Sequence, residues 1–425
     1  MVGLRDIVIT GIGCVTPLGI GRQAFHQALL AEQCAIRQRI SLNDSERTTY
    51  YTASIEGFDG KQYVTPRKAL KVMGREVQIA YSAAHLAWQD AGLTDVSPAP
   101  DRIGAVYGTE IIPGDLMEVL PCVQACSTMG ELDFGTWGKV FHKHIIPLWM
   151  LKYLPNMPAC HVGIAVDARG PNNSIALEEA SGLLALGEAA DIIRRDGADM
   201  MIVGACGTRV SPTRLIYRVP GFYDQRPYAA AIADDLRAGP FDMRRRGIVP
   251  SEAAVALVIE SRSHAVGRGA EILAVLAGQS SRFGRPSQHY GGSRQALASA
   301  ARDAMDQAGI TANQLAHVSA QGFSQRQLDI EEAAAIAEVA GDVPVTAYSS
   351  YFGSAGAASG LLELASSILA VRDGLTLPTL GYTQPDPECA IHVCRERQST
   401  SQAHILKLSF TFQGQAAAVV VQCNR

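Results

Sequence analysis

The stretch Gly170-Pro171-Asn172-Asn173-Ser174-Ile175-Ala176-Leu177-Glu178-Glu179-Ala180-Ser181-Gly182 decides how this chain reads. Behind it, Ser181 to Asp196 places Leu183, Leu186, Ala190 and Ile193 on one helical stripe, and Met200 to Gly204 follows as a strand. Glu178 and Glu179 therefore open a helix, where a negative charge is favoured by roughly 0.3–1 kcal/mol. The same alternation extends in both directions. Asp6 to Gly13 reads as a strand ending in a Gly-x-Gly turn, Gln23 to Ala31 and Arg75 to Ala91 as helices, and Ile103 to Gly108 and Ala253 to Glu260 as strands. A second series follows: Ser293 to Ala308 helical, His317 to Ala320 a strand, Ser359 to Val371 helical, then strands at Ala403 to Phe410 and Ala416 to Gln422. This pattern predicts an α/β fold with helices on both faces of the sheets. The expected halves are residues 1–260 and 261–425, alike in element order but not in visible sequence. Residues 111–160 break the pattern with Met117, Phe134, Trp137, Phe141, Trp149 and Tyr153, too apolar for a solvated linker, so an insertion that lines a pocket or an interface is expected there.

Composition bounds the function. The chain has 425 residues, 47% of them hydrophobic, and a net charge of -4. It has no long Lys/Arg run, which argues against nucleic acid or an anionic membrane surface as partner; Arg194-Arg195 and Arg244-Arg245-Arg246 read as short solvated clusters. The start, Met1 to Ile9, runs straight into a strand pattern without a signal-peptide core, and no stretch of about 18 apolar residues predicts a transmembrane helix. The nine cysteines are scattered and read as reduced thiols of a cytoplasmic protein. Neither Cys122/Cys126 nor Cys389/Cys394 has a zinc spacing, and His142 with His144 lacks a third ligand, so no metal and no cofactor is expected.

The opening stretch resembles the nucleophile elbow of the β-ketoacyl-acyl-carrier-protein synthases, with Glu179 where that family has a cysteine. Other segments carry the same resemblance in order. Ile7 to Gly13 with Thr16-Pro17-Leu18-Gly19 is similar to the opening of a condensing enzyme. Leu154-Pro155-Asn156-Met157 is similar to the approach to the nucleophile, and Gly187-Glu188-Ala189 with Gly197-Ala198-Asp199 to the helix after it. Pro240-Phe241-Asp242, Arg246-Gly247-Ile248-Val249, Ser251-Glu252-Ala253 and His264-Ala265 complete the run. The resemblance implies a thiolase-like five-layered αβαβα sandwich of two pseudo-repeated halves, dimeric, acting on acyl groups delivered by acyl carrier protein.

That family's chemistry uses a cysteine thiolate and two histidines. By resemblance the first histidine position is Gln321, in Ala320-Gln321-Gly322-Phe323-Ser324, and the second is Ser354, in Ser349-Ser350-Tyr351-Phe352-Gly353-Ser354. Phe323 stands for the threonine of the first motif and Ser349 for the lysine of the second. The last loop, Thr411-Phe412-Gln413-Gly414-Gln415-Ala416, replaces a glycine-rich run; Thr411 and Gln413 are expected to stiffen it. Phe323 and Gln415 occupy the two positions where the family's threonines help hold the phosphopantetheine arm. Cys206, and the adjacent Cys160 and His161, are the other nucleophile candidates; neither lies at a helix start with a base in register.

With the cysteine and both histidines replaced, the resemblance implies a degenerate ketosynthase homologue like a chain-length factor, paired in a heterodimer with an active ketosynthase in type II polyketide or fatty-acid-like biosynthesis. Two alternatives stand beside it. One is a repurposed enzyme in which Glu179 acts as general base on a carrier-bound acyl chain. The other is a non-catalytic homodimer that binds an acyl ligand. If Glu179 is structural, its partner is expected to be the helix end and Arg326.

Overall fold

The computed structural model describes residues 5–43, 46–94, 98–128, 130–211, 213–214, 239–245, 247–286 and 293–424. Arg246 and residues 1–4, which entered the sequence reading, lie outside the described residues. The first half contributes strands β1 (Ile7–Thr16), β2 (Ile103–Thr109), β3 (Asn172–Ala176), β4 (Met200–Thr208) and β5 (Glu252–Ser261). Its helices are α1 (Arg22–Leu30), α2 (Arg75–Asp90), α3 (Leu116–Ala125), α4 (Phe134–His144), α5 (Met157–Ala165) and α6 (Ser181–Arg194). The second half contributes β6 (Ala274–Phe283), β7 (Leu315–Ala320), β8 (Val345–Ala347), β9 (His404–Phe410) and β10 (Gln415–Cys423), with helices α7 (Arg294–Ala308), α8 (Arg326–Ala340) and α9 (Ser359–Arg372).

The strands run in the order β8-β7-β9-β10-β6-β1-β5-β4-β2-β3. Each half repeats one order: its third strand at the rim, then second, fourth, fifth and first. Pairing directions repeat too. β2 is parallel to β3 and β4, and β7 is parallel to β8 and β9. The hairpin-like pairs β4–β5 and β9–β10 are antiparallel. The halves join where β1 meets β6, at Ile7 to Ile9 against Ala274 to Leu276. Helices α2 and α5 cover the outer face of the first half, α7 and α8 the outer face of the second, and α6 and α9 lie between the halves. Those are the five layers of the sandwich. The inner core packs Ile7, Ile9, Leu183, Leu186, Leu361 and Ile405 together.

The central layer is held by a near-repeat that the sequence reading did not single out. Ala180-Ser181-Gly182-Leu183-Leu184 opens α6, and Ala358-Ser359-Gly360-Leu361-Leu362 opens α9. Ser181 Oγ accepts from Leu177 N at 2.8 Å, and Ser359 Oγ accepts from Ala355 N at 2.9 Å. A Cβ on Gly182 would lie 3.0 Å from both Ala357 O and Leu361 Cβ; one on Gly360 would lie 3.2 Å from Leu183 Cγ and 3.3 Å from Glu179 O. The two helices therefore cross start to start, glycine beside its counterpart's neighbours, about a local two-fold.

Three expectations need correction. The Gly11-Ile12-Gly13 segment is not a turn: β1 continues to Thr16. Its glycines let α2 approach, since a Cβ there would lie 2.5 Å from Ala87 O and 2.0 Å from Ala83 O. Glu178 and Glu179 do not open the α-helix, which begins at Ser181; they form a separate 3₁₀ turn, Glu178–Ala180. Asn172–Ala176, read only as part of the elbow stretch, is a strand at the rim of the sheet. The segment 111–160 folds around a small core of Cys122, Cys126 and Ile145 with Trp137, Phe141 and Trp149 against it, while Met117, Phe134, Leu148 and Met150 stay exposed. No helix among the described residues is long and apolar enough to cross a membrane.

The crossing supplies the first prediction. Gly182→Val inserts branched atoms where 3.0 Å is available, and overpacking of this kind costs about 1–3 kcal/mol. Chemical denaturation should show that loss, while Leu184→Val, on the half-buried side of the same helix, should cost less; equal losses would remove the crossing's special status.

Candidate functional site

The chain reaches the site by a strained route. After β3, Glu178 adopts φ +47°, the left-handed region that a non-glycine residue enters rarely and at a cost. Its counterpart in the second half, Gly356, has φ +60° and enters it freely. The twist turns Glu179 inward, where it is completely buried at the start of the central layer.

Glu179 is met there by Arg209, the residue that ends the buried strand β4. Arg209 Nη1 pairs with Glu179 Oε1, and Nη2 pairs with Glu110 Oε2 at 3.1 Å. Side-chain exposures of 5%, 3% and 0% for Arg209, Glu110 and Glu179 mean that water does not screen these contacts. Arg214 closes the far side, 3.1 Å from Glu110 Oε1. Burial, reinforced by the neighbouring Glu179, pushes the Glu178 carboxyl up to about 7; Arg209 and a hydrogen bond to Gln413 oppose that rise. Burial also pushes Glu76 up to about 8, with Glu110 adding to it and Thr208 and Arg214 opposing. Four carboxyls, Glu76, Glu110, Glu178 and Glu179, thus share two guanidiniums. Glu110 and Glu179 face the guanidiniums, while Glu76 and Glu178 are the carboxyls that burial pushes up toward neutral pH.

The structure brings Gln321 and Ser354 to the same place. Ser354 Oγ lies 3.4 Å from Arg209 Nη1. Gln321 Oε1 accepts from Phe410 N at 2.8 Å and from Ser409 Oγ at 2.9 Å, and Ser409 Oγ also lies 2.8 Å from Glu179 O. The backbone at Gln321 and Gly322 is tied down by Glu332, whose oxygens accept at 2.7 and 2.9 Å. Beneath them Lys407 and Glu363 form a fully buried ion pair; burial lifts the Glu363 carboxyl to about 7. Ser349 Oγ donates to Gly322 O at 2.6 Å and links the two substituted loops.

The remaining loop positions divide. Phe323 is buried edge-on against Phe410, ring centres 5.1 Å apart. Phe412 packs against the second-half core. Thr411 closes the β9–β10 hairpin, its N donating to Gln415 O at 2.8 Å. Gln413 reaches Glu178, and Gln415, whose Nε2 donates to Arg282 O at 3.2 Å, lines a cavity of about 280 Å³ with Glu110, Leu177, Glu178 and Arg214.

Arg326 is not the partner of the elbow. It pairs with Asp386 at 3.1 Å and with Glu388, because α8 starts at that residue and carries its side chain to the 386–388 segment. Cys206 is buried inside β4 with its thiol pushed well up by burial and Glu76, unsuited to a nucleophile. Cys160 and His161 sit in α5, and among the described residues no His/Cys/Asp/Glu group has the makings of a metal site. The sequence reading missed Arg209, Glu110 and Arg214. A charged residue closing the apolar run Met200 to Thr208 was the available signal for Arg209.

Comparison with known proteins follows the same lines. The sequence model of the β-ketoacyl synthase N-terminal domain matches residues 4–265, and that of its C-terminal domain residues 273–383. A putative polyketide β-ketoacyl synthase 1 of Streptomyces halstedii is 31% identical over 432 residues, covering 98% of both chains. A solved type II polyketide acyl-carrier protein in complex with its ketosynthase is 25% identical, with TM-score 0.80 over 99% of this chain and 100% of that one. The ishigamide ketosynthase/chain length factor has TM-score 0.81 at 22% identity, covering both chains fully.

Two predictions come from the charge cluster. Removing Glu179 breaks a buried ion pair and leaves Arg209 with Glu110 alone, so Glu179→Leu should cost about 3 kcal/mol in denaturant unfolding, and the paired change Glu179→Leu/Arg209→Met should recover part of it. Glu178 and Glu76 bind protons more tightly folded, at about 7 and 8, than at their ordinary 4.5. The folded state then holds more protons between 4.5 and those values, and their contribution to stability is fully present below 4.5 and lost as pH rises through about 7 to 8. Melting temperature against pH should show this fall, flattened in Glu178→Gln/Glu76→Gln; an equally steep fall in the variant would count against it.

Proposed function

This chain belongs to the β-ketoacyl synthase family, and from that premise we propose that it is a partner subunit that does not itself condense, chain-length-factor-like, in polyketide-type biosynthesis. The observation that carries this reading is the elbow: Glu179, in the nucleophile position by resemblance, is held in a buried ion pair with Arg209. A carboxylate cannot perform thioester exchange as a thiolate does. Gln321 spends its carbonyl on Phe410 N, and Ser354 offers a hydroxyl to Arg209 in place of an imidazole. The similarity to polyketide synthases, and to folds that include a ketosynthase/chain length factor, fits that role.

The exposed side chains of Ile111, Met117, Phe134, Leu148, Met150 and Ile164 fit a subunit that is buried against a partner. Acyl carrier protein would then be met through the active ketosynthase partner. A second reading, residual acid–base chemistry, shifts to a different carboxyl than expected: Glu179 is taken by Arg209, whereas Glu178 lines the cavity and holds its proton to about 7. A homodimer that only binds an acyl ligand is the third.

Incubation with acyl- and malonyl-loaded carrier protein should yield no β-ketoacyl product and no covalent adduct by intact mass. Glu179→Cys should not restore synthesis, because both histidine positions remain substituted. An adduct on any cysteine of the wild type would overturn the reading. Sedimentation should show a dimer, burying more than about 2,000 Å² with a ketosynthase partner; a stable monomer in the presence of candidate ketosynthases would sink the partner role.

A further inference from the structure

Two cavities border the chain segments that carry the Arg209 cluster. The one at the elbow, about 280 Å³, is lined by Glu110, Leu177, Glu178 and Arg214. The other, about 650 Å³, lies beneath α2 and α3 and is lined by Glu76, Ile112, Thr208 and Val210. The same two segments wall both. Glu110 and Ile111 border the first where Ile112 and Pro113 border the second; Arg214 borders the first where Thr208 and Thr213 border the second.

We propose that Glu110, Arg209 and Glu179 form a plug that separates these cavities and excludes alkyl and acyl chains from the elbow, leaving room there for a small polar group only. Glu110 and Glu178 line the elbow cavity, and Thr208 and Val210, on either side of Arg209, line the larger one, so the three side chains sit on the wall segments the cavities share. Its three side chains are at most 5% exposed, so no solvent path runs through it. It is seated from behind by the second half's own left-handed turn: a Cβ on Gly356 would lie 2.3 Å from Glu110 Oε2 and 2.7 Å from Arg209 Nε. Glycine at that position leaves the plug its space. The charge balance makes the plug permanent rather than a gate, because a chain pushing in would have to part a buried guanidinium from both carboxylates, and apolar burial does not return that cost. The larger cavity is then reached from the α2–α3 side and not through the elbow. The inference rests on the proposed reading in one respect, that the elbow is where an acyl chain would enter.

The test is photolabelling of the full chain with a diazirine-bearing palmitic acid, mapped by peptide mass spectrometry. Wild type and Glu179→Ala/Arg209→Ala are compared, the double change leaving Glu110 with Arg214. Label on the 175–182 peptide should rise by about tenfold or more in the double variant, the equivalent of one decade in affinity. Equal labelling of that peptide in the wild type overturns the plug, and so does a folded variant, checked by circular dichroism, that stays unlabelled there. If the variant does not fold, the wild type decides alone: label on the elbow peptide overturns the inference, and label confined to other peptides supports it. Condensing activity or a covalent adduct would instead remove the partner-subunit reading, so the two failures are told apart.

Discussion

Arg209 carries a charge that no accessible pH removes, in a place where only 5% of its side chain meets water. The centre of the molecule is arranged around that constraint. An isolated buried guanidinium would be prohibitively costly, so carboxylates must face it, and Glu179 and Glu110 do. Burial, with those carboxylates adding to it, keeps Glu178 and Glu76 protonated toward neutral pH. Ser354 and Gly356 complete the enclosure from the second half, one by its hydroxyl and one by having no side chain to intrude.

The pseudo-repeat explains how a charge cluster of this size is positioned at all. The two halves share strand order and direction, and their central helices start against each other at Gly182 and Gly360. That crossing brings the turn before α6 and the turn before α9 within side-chain reach. At the crossing the halves are alike, with matched serines that accept from the preceding turn and matched leucines. Two residues before that repeat they diverge in residue, since the first half puts Glu178 into the left-handed conformation that the second gives to Gly356. Strain held at one of two equivalent turns, with a carboxyl on it, marks where the halves have taken different duties.

The substitutions at the three positions are mutually consistent as structure. Gln321 ties the end of β7 to the end of β9, Ser349 ties its loop to the next, and Phe323 has become core beside Phe410. The Gln321 carbonyl, the Ser349 hydroxyl and the Phe323 ring are each taken up by a neighbour. A scaffold role therefore fits the same contacts that a catalytic role would have to break.

Much of the fold was legible in the chain itself. Apolar runs at strand and helix spacing marked β1, β2, α2, α6 and α9 closely, because backbone periodicity imposes a side-chain period that survives in sequence. The Gly-Pro-Asn to Ser-Gly stretch located the elbow, and the order of motifs implied the family and its layered sandwich. The identity of Glu179's partner was not legible. Arg326 was the expected cation, but Arg209 is the one present, brought there by the pairing of β4 with β2 and β5. The role of Glu110, the left-handed turn at Glu178 and the space left by Gly356 were equally hidden. Local pattern records which face of an element is buried. Which charges meet inside is set by the register between strands distant in sequence, and by two helices crossing, and that only the tertiary structure decides.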